Sequence, residues 1–136
     1  MARSGGCQCG EVRYQTDGEP LHHALCHCGD CRASAGAPAV AWIAFPEAAV
    51  TVTQGATTTY EGQNGARRQF CPRCGTGLFY TNAEVLPGLV DIQSATLDTA
   101  AEDAPQVHIQ VAERLPWMAR LNELPEFERY PSGPPE

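Results

Sequence analysis

Three cysteines fall within the six residues Cys26-His27-Cys28-Gly29-Asp30-Cys31, and no other feature restricts the folding of this chain so tightly. Bridging neighbours this close would strain the short chain between them, so the sulfurs are read as ligands of one soft cation rather than as disulfide partners. Cys26 and Cys28 stand two apart and project to the same face of an extended segment. The Cys28-Gly29-Asp30-Cys31 turn then brings the third sulfur round, and Gly29 is expected to take positive φ there.

The chain has seven cysteines, and the other four decide what kind of cradle this is. Cys7-Gln8-Cys9 offers two sulfurs on one face, and Cys71-Pro72-Arg73-Cys74-Gly75 forms a second knuckle, with Pro72 fixing φ and Gly75 easing the exit. A structural zinc takes four protein ligands, so Cys7, Cys9, Cys71 and Cys74 complete one Zn2+ site. Cys26, Cys28 and Cys31 remain as a set of three, the number that a catalytic zinc uses. The alternative, in which the second knuckle joins Cys26 and Cys28, strands Cys31 and leaves Cys7 and Cys9 short of partners.

At 136 residues the chain suits one domain, small enough for a structural metal to add useful stability. The formal net charge is −7, and thiolates on two zinc ions add about three more negative charges. Such a chain repels polyphosphate, so neither nucleic acid nor an anionic membrane is an expected partner. Residues Met1-Ala2-Arg3-Ser4-Gly5-Gly6 carry no apolar run of the secretory type, and no stretch approaches the length of a membrane span. An odd number of clustered cysteines without a signal peptide leads to the expectation of a reducing, cytoplasmic location.

Between the cysteines the chain reads as short strands and turns. Glu11–Gln15 alternates polar with apolar, and Ala39–Phe45 alternates small with large in a way that buries Trp42 or its neighbours before Pro46. Val50–Thr53 and Thr57–Tyr60 are rich in β-branched residues and are split by Gln54-Gly55, a hairpin-like break. Asn64-Gly65 is the strongest turn signal. Strands over 66–70 and 76–80 flank the second knuckle in a zinc-ribbon arrangement, and segments 90–93 and 106–111 complete the set. Arg32–Pro38 supports no helix beyond one turn, while Trp117, Leu121, Leu124 and Phe127 are placed to pack a Pro-punctuated tail back onto the sheet. The expected fold is all-β, mainly antiparallel, with little helix.

The segment Gly6-Cys7-Gln8-Cys9-Gly10-Glu11-Val12-Arg13-Tyr14, the Cys26–Cys31 cradle and Phe70-Cys71-Pro72-Arg73-Cys74-Gly75 together resemble the glutathione-dependent formaldehyde-activating enzyme family, which includes the centromere protein V type. Residues 95–98, 105–109 and Trp117 also fall where that family places similar residues. The resemblance implies a β-tent fold over residues 5–120, followed by a Pro-rich tail over 121–136. It implies a closed zinc site at Cys7, Cys9, Cys71 and Cys74 and a three-cysteine zinc site at Cys26, Cys28 and Cys31. The implied reaction is condensation of glutathione with formaldehyde to S-(hydroxymethyl)glutathione, a carbon–sulfur lyase run backwards, although this adduct also forms without an enzyme.

Zinc at the three-cysteine set would hold an incoming thiol as thiolate or polarise the carbonyl oxygen, and the sequence leaves both roles open. The same set also fits a second structural zinc completed by His22, His23 or Asp30. His27 is read as a hydrogen-bond donor beside the thiolates or as a proton carrier, and His108 as a sheet residue. Arg67 and Arg68 read as a solvated face or as a grip on a glutathione carboxylate, and Asp98, Trp42 and Trp117 as turn and core elements. Three functions follow: a lyase acting on thiol adducts of small aldehydes, a zinc-stabilised scaffold, and a thiol- or zinc-sensing domain.

Overall fold

Among the described residues ten short strands make two sheets, and the cysteine motifs sit where the strands end. The structure, a computed structural model, describes residues 1–131; residues 132–136, the end of the expected Pro-rich tail, lie outside the described residues. Strands β1 (Arg3–Gly6), β2 (Arg13–Thr16) and β5 (Val50–Gln54) form a three-stranded antiparallel sheet in the order β1-β2-β5. The larger sheet has seven strands: β3 (His22–Cys26), β4 (Val40–Pro46), β6 (Thr58–Glu61), β7 (Arg67–Phe70), β8 (Gly77–Thr81), β9 (Leu89–Gln93) and β10 (Val107–Ile109). Their order is β10-β3-β4-β9-β8-β7-β6, antiparallel throughout except that β10 runs parallel to β3. A single α-helix, α1 (Gly29–Ala35), and four short 3-10 segments complete the described residues, so the chain is mostly β as expected.

The main core lies between the sheets, built from Tyr14 of one, with Val12 just before its strand β2, and Ile43, Phe45, Leu78, Phe79, Val90 and Ile92 of the other. Because side chains alternate across a strand, the same β4 that sends Ile43 and Phe45 into this core sends Val40 and Trp42 to the opposite face. There they pack with Cys26 and Cys31 in a second cluster, with Tyr80 against its edge. Strand β4 is therefore buried on both faces, which explains its near-continuous apolar sequence. Close approach also explains Gly5: a Cβ there would overlap the Tyr14 ring and the Thr96 carbonyl.

Several local expectations need correction. The Gln54-Gly55 break does not make a hairpin, because β5 pairs with β2 while β6 pairs with β7, so the chain crosses between sheets there. Gly55 has φ 74° and lies against the Glu11 backbone, where a side chain would clash. Gly29 is helical rather than left-handed; it opens α1, and the left-handed residue is Gly36 at φ 64°, which closes the helix. Within 32–38 helix α1 covers only the single turn expected, Arg32 to Ala35, but it begins earlier, inside the cradle. Strand β1 was not foreseen, and β10 is shorter than segment 106–111. Trp117, Leu121, Leu124 and Phe127 do not pack back onto the sheet; all are exposed. Asn64-Gly65 does form the expected turn, with both residues at positive φ. No described helix is long and apolar enough to cross a membrane.

One buried charge sits on β9 without compensation. The side chain of Asp91 is 10% exposed, its Oδ1 has no hydrogen-bond partner among the described residues, and His22 Nε2 lies 3.8 Å from it. Burial pushes the carboxyl above the ordinary carboxylate range, with His22 opposing only in part. A carboxyl raised in the folded state destabilises the fold at every pH above that raised value, and the penalty fades as pH falls toward the unfolded value. Asp91→Asn should therefore stabilise the protein at pH 7 by about 1 kcal/mol, a few degrees in Tm. Thermal unfolding across pH 4 to 7 checks this, and a gain that persists undiminished at low pH would refute the assignment.

Candidate metal centres

All seven cysteines are free thiols, and their sulfurs gather into two groups. In the first, Cys7, Cys9, Cys71 and Cys74 have sulfurs within 4.8 Å of one another. Cys7 and Cys9 follow β1 at the tip of the β1–β2 hairpin, and Cys71 and Cys74 occupy the tip between β7 and β8. The group thus joins the two sheets, whose hairpin tips also meet where the Gln8 N–H donates to Thr76 Oγ1 at 3.1 Å. The expected ribbon is present, with β7 and β8 paired across the knuckle.

The geometry fits zinc. A tetrahedron with Zn–S bonds of 2.3 Å has S···S edges of about 3.8 Å. Cys7 Sγ lies 3.6 Å from Cys9 Sγ, and Cys9 Sγ lies 3.8 Å from Cys71 Sγ. Backbone N–H groups aim at these sulfurs: Val12 donates to Cys7 Sγ at 3.2 Å, and Arg73 and Cys74 donate to Cys71 Sγ at 3.4 and 3.5 Å. The Thr76 hydroxyl, then its backbone, stabilises the Cys74 thiolate and draws that thiol down to about 5. Gly75 has φ 83°, as the exit from the knuckle requires.

The second group is Cys26, Cys28 and Cys31, again within 4.8 Å of one another. Cys26 ends β3, Cys28 is the N-cap of α1 in extended conformation, and Cys31 lies on the helix. The Cys31 N–H donates to Cys28 Sγ at 3.2 Å, the same i to i+3 contact that Cys74 makes to Cys71. Burial pushes the Cys26 thiol up to about 12 and raises Cys31 as well, so three thiolates held together there need a cation. Cys26 and Cys31 are buried, and Cys28 is half-exposed.

None of the expected fourth ligands joins this group among the described residues. His23 Nε2 is 2.7 Å from Ser94 Oγ, His22 faces Asp91, and Asp30 Oδ2 accepts from Arg68 Nη2 at 2.8 Å. His27 turns to the opposite side from the sulfurs, fully buried, with its Nε2 2.9 Å from His108 Nδ1. Burial, then the nearby His108 and Arg114, holds the His27 ring below the usual imidazole range. His108 is thus a sheet residue on β10 with a partnered ring. The cradle is braced from the C-terminal side, where Glu113 Oε1 accepts from the Gly29 N–H at 2.9 Å and Arg32 Nη2 donates to the Glu113 carbonyl.

Arg68 was missed as a contact of the cluster. Its side chain is only 12% exposed, it stacks 5.0 Å over the Tyr80 ring, and Nη2 also reaches Cys31 Sγ at 3.8 Å. The Arg67-Arg68 pair was read as a solvated face or as a grip on a carboxylate, and the solvated face holds for Arg67 alone, which is exposed and paired with Glu61. The signal available was alternation: neighbours on a strand face opposite ways. Asp98 pairs with Arg13, and Trp42 is core, while Trp117 is not. A cleft of about 730 Å³ is lined by Asp30, Trp42, Arg68, Cys74 and Thr76, and Arg68 links it to the smaller cysteine group through its contact with Cys31 Sγ.

Comparison with known proteins agrees with this picture. A family model described as glutathione-dependent formaldehyde-activating enzyme matches residues 2–113. The fold is similar to that of a Rhodobacter sphaeroides protein of known crystal structure, with a TM-score of 0.60 and 23% identity over 77% of this chain and 97% of that one. No curated protein sequence matches the chain.

Proposed function

Since the chain belongs to the glutathione-dependent formaldehyde-activating enzyme family, we propose that it joins a small thiol such as glutathione to a small aldehyde such as formaldehyde at Cys26, Cys28 and Cys31, as a zinc-dependent carbon–sulfur lyase working in reverse. The observation that carries this reading is the contrast between two sulfur groups, one with four protein ligands and one with three and no fourth among the described residues. In the reaction the thiol sulfur forms a bond to the carbonyl carbon, the carbon–oxygen π pair moves to oxygen, and that oxygen takes the proton that the thiol gives up. Zinc bound by the three sulfurs supplies Lewis acidity, which lowers the pKa of a thiol or polarises a carbonyl.

The chain's own groups do the rest. Cys26 and Cys31 anchor the inner side of the cradle against Val40 and Trp42, which keep water from that face. Half-exposed Cys28 marks the side from which reactants arrive. Burial raises the Cys31 thiol and the Arg68 guanidinium at its sulfur opposes this in part, while the Cys31 N–H donates to Cys28 Sγ. The cleft beside Arg68 has room for a small peptide thiol.

With two zinc ions bound per chain, the initial rate of S-(hydroxymethyl)glutathione formation should exceed the buffer rate in proportion to added protein. Following aldehyde loss by NMR at several protein concentrations checks this. A fully zinc-loaded protein that leaves the buffer rate unchanged would remove the catalytic reading for this substrate pair.

A further inference from the structure

Resting on the reading that the three-cysteine cluster receives a thiol, we infer that Arg68 selects which thiol: its guanidinium grips a carboxylate of the incoming molecule in the cleft, so that acidic thiols are taken in preference to neutral ones. Arg68 is the one cation among the described residues lining this cleft, in a chain whose net charge is −7. Without it an anionic thiol would meet only repulsion. The guanidinium is a held plane, with its face on Tyr80 and its side chain largely buried, which reduces the ordering cost of a forked contact.

Its hydrogen bonds leave donors to spare. Among the described residues they all run through Nη2, to Asp30 Oδ2 and Cys31 Sγ, so Nε and Nη1 remain for a ligand. Asp30 is 77% exposed, and an ion pair so open to water is weak enough for a substrate carboxylate to compete with it. A carboxylate on Arg68 also places the rest of the molecule beside Cys31, since Nη2 is already 3.8 Å from that sulfur. The alternative is that Arg68 only neutralises Asp30 and the thiolate. The two differ in one respect: a neutralising arginine affects charged and neutral thiols alike.

A matched pair of probes, 3-mercaptopropionate and 3-mercaptopropan-1-ol, separates them. Their binding to the zinc-loaded protein is measured by calorimetry without aldehyde, for the native chain, Arg68→Gln, Arg68→Lys and Asp30→Asn, with zinc content determined for each. The native protein should bind the acid about tenfold or more tightly than the alcohol, the scale of a charge-assisted hydrogen bond. Arg68→Gln should weaken the acid about tenfold more than the alcohol and so erase that preference, Arg68→Lys should keep part of it, and Asp30→Asn should enlarge it severalfold. No preference in the native protein, or an equal loss for both probes in Arg68→Gln, overturns the inference. Should Arg68→Gln fail to fold or to hold zinc, Asp30→Asn decides, and an unchanged ratio there counts against it. Charge-selective binding without aldehyde turnover sinks the lyase reading and leaves this one standing; turnover without selectivity does the reverse.

Discussion

Cys71→Ser is expected to abolish cooperative unfolding at neutral pH and to leave the protein with loosened sheets and at most one tightly held zinc. Cys71 is fully buried within the main core, and its sulfur collects two backbone N–H donors and a contact to Cys9 from the other sheet. The cost has three sources. Ser removes a thiolate ligand, offers those donors a neutral hydroxyl in place of a thiolate, and frees a hairpin tip from the opposite sheet. Structural zinc sites contribute about 10–16 kcal/mol of apparent binding energy, and that energy is folding energy. The whole stability of a domain this size is about 5–15 kcal/mol, so losing even half of the metal's share is enough to unfold it. Circular dichroism on heating, with zinc counted by mass spectrometry under native conditions, checks this, and strong chelators should mimic the substitution. A variant that melts within a few degrees of the native protein would mean that the four sulfurs do not hold the sheets together.

The size of that effect follows from topology that spacing alone does not reveal. The two cysteine groups were legible because ligand spacing is local: Cys71-Pro72-Arg73-Cys74 and Cys28-Gly29-Asp30-Cys31 each place two sulfurs one turn apart in any backbone that folds back. Counting ligands then paired Cys7 and Cys9 with the distant knuckle, and the structure brings them together. What was not legible depends on partners far along the chain. Val50–Thr53 and Thr57–Tyr60 both have strand composition, yet nothing in either says that one pairs with β2 and the other with β7. Strand β1 is Arg-Ser-Gly-Gly, poor in strand formers, and exists because β2 and the Leu97 bridge give its backbone partners. Gly29 was misassigned for a similar reason. The turn was read as a tight reversal, but a Cys28 N-cap and a Gly36 C-cap define a helix, and inside a helix glycine keeps negative φ. Arg68 was harder to single out because its contacts with Asp30 and Cys31 come from a segment far earlier in the chain.

Cys28→Ser should behave in the opposite way to Cys71→Ser, keeping the fold and losing the chemistry. Cys28 caps α1, with its sulfur accepting from the Cys31 N–H, and serine is among the best N-cap residues, so the helix keeps its first turn. The residue is half-exposed, stands at the rim of the smaller cluster, and belongs to a segment that His27, Arg32 and Glu113 brace independently. The change in Tm should therefore be a few degrees at most. Zinc content, however, should fall from two ions toward one, because two thiolates and a weak hydroxyl no longer make a site of useful affinity. With that ion goes the Lewis acidity, worth several kcal/mol in a transition state, so adduct formation above buffer should drop by about a hundredfold or more. The paired measurement separates a catalytic trio from a structural one. A variant that keeps one zinc and the native rate would relocate the chemistry away from Cys26, Cys28 and Cys31, whereas one that unfolds like Cys71→Ser would make this cluster a second structural site. The expected outcome is a protein folded about a single intact tetrahedron and indistinguishable from buffer in its handling of aldehyde.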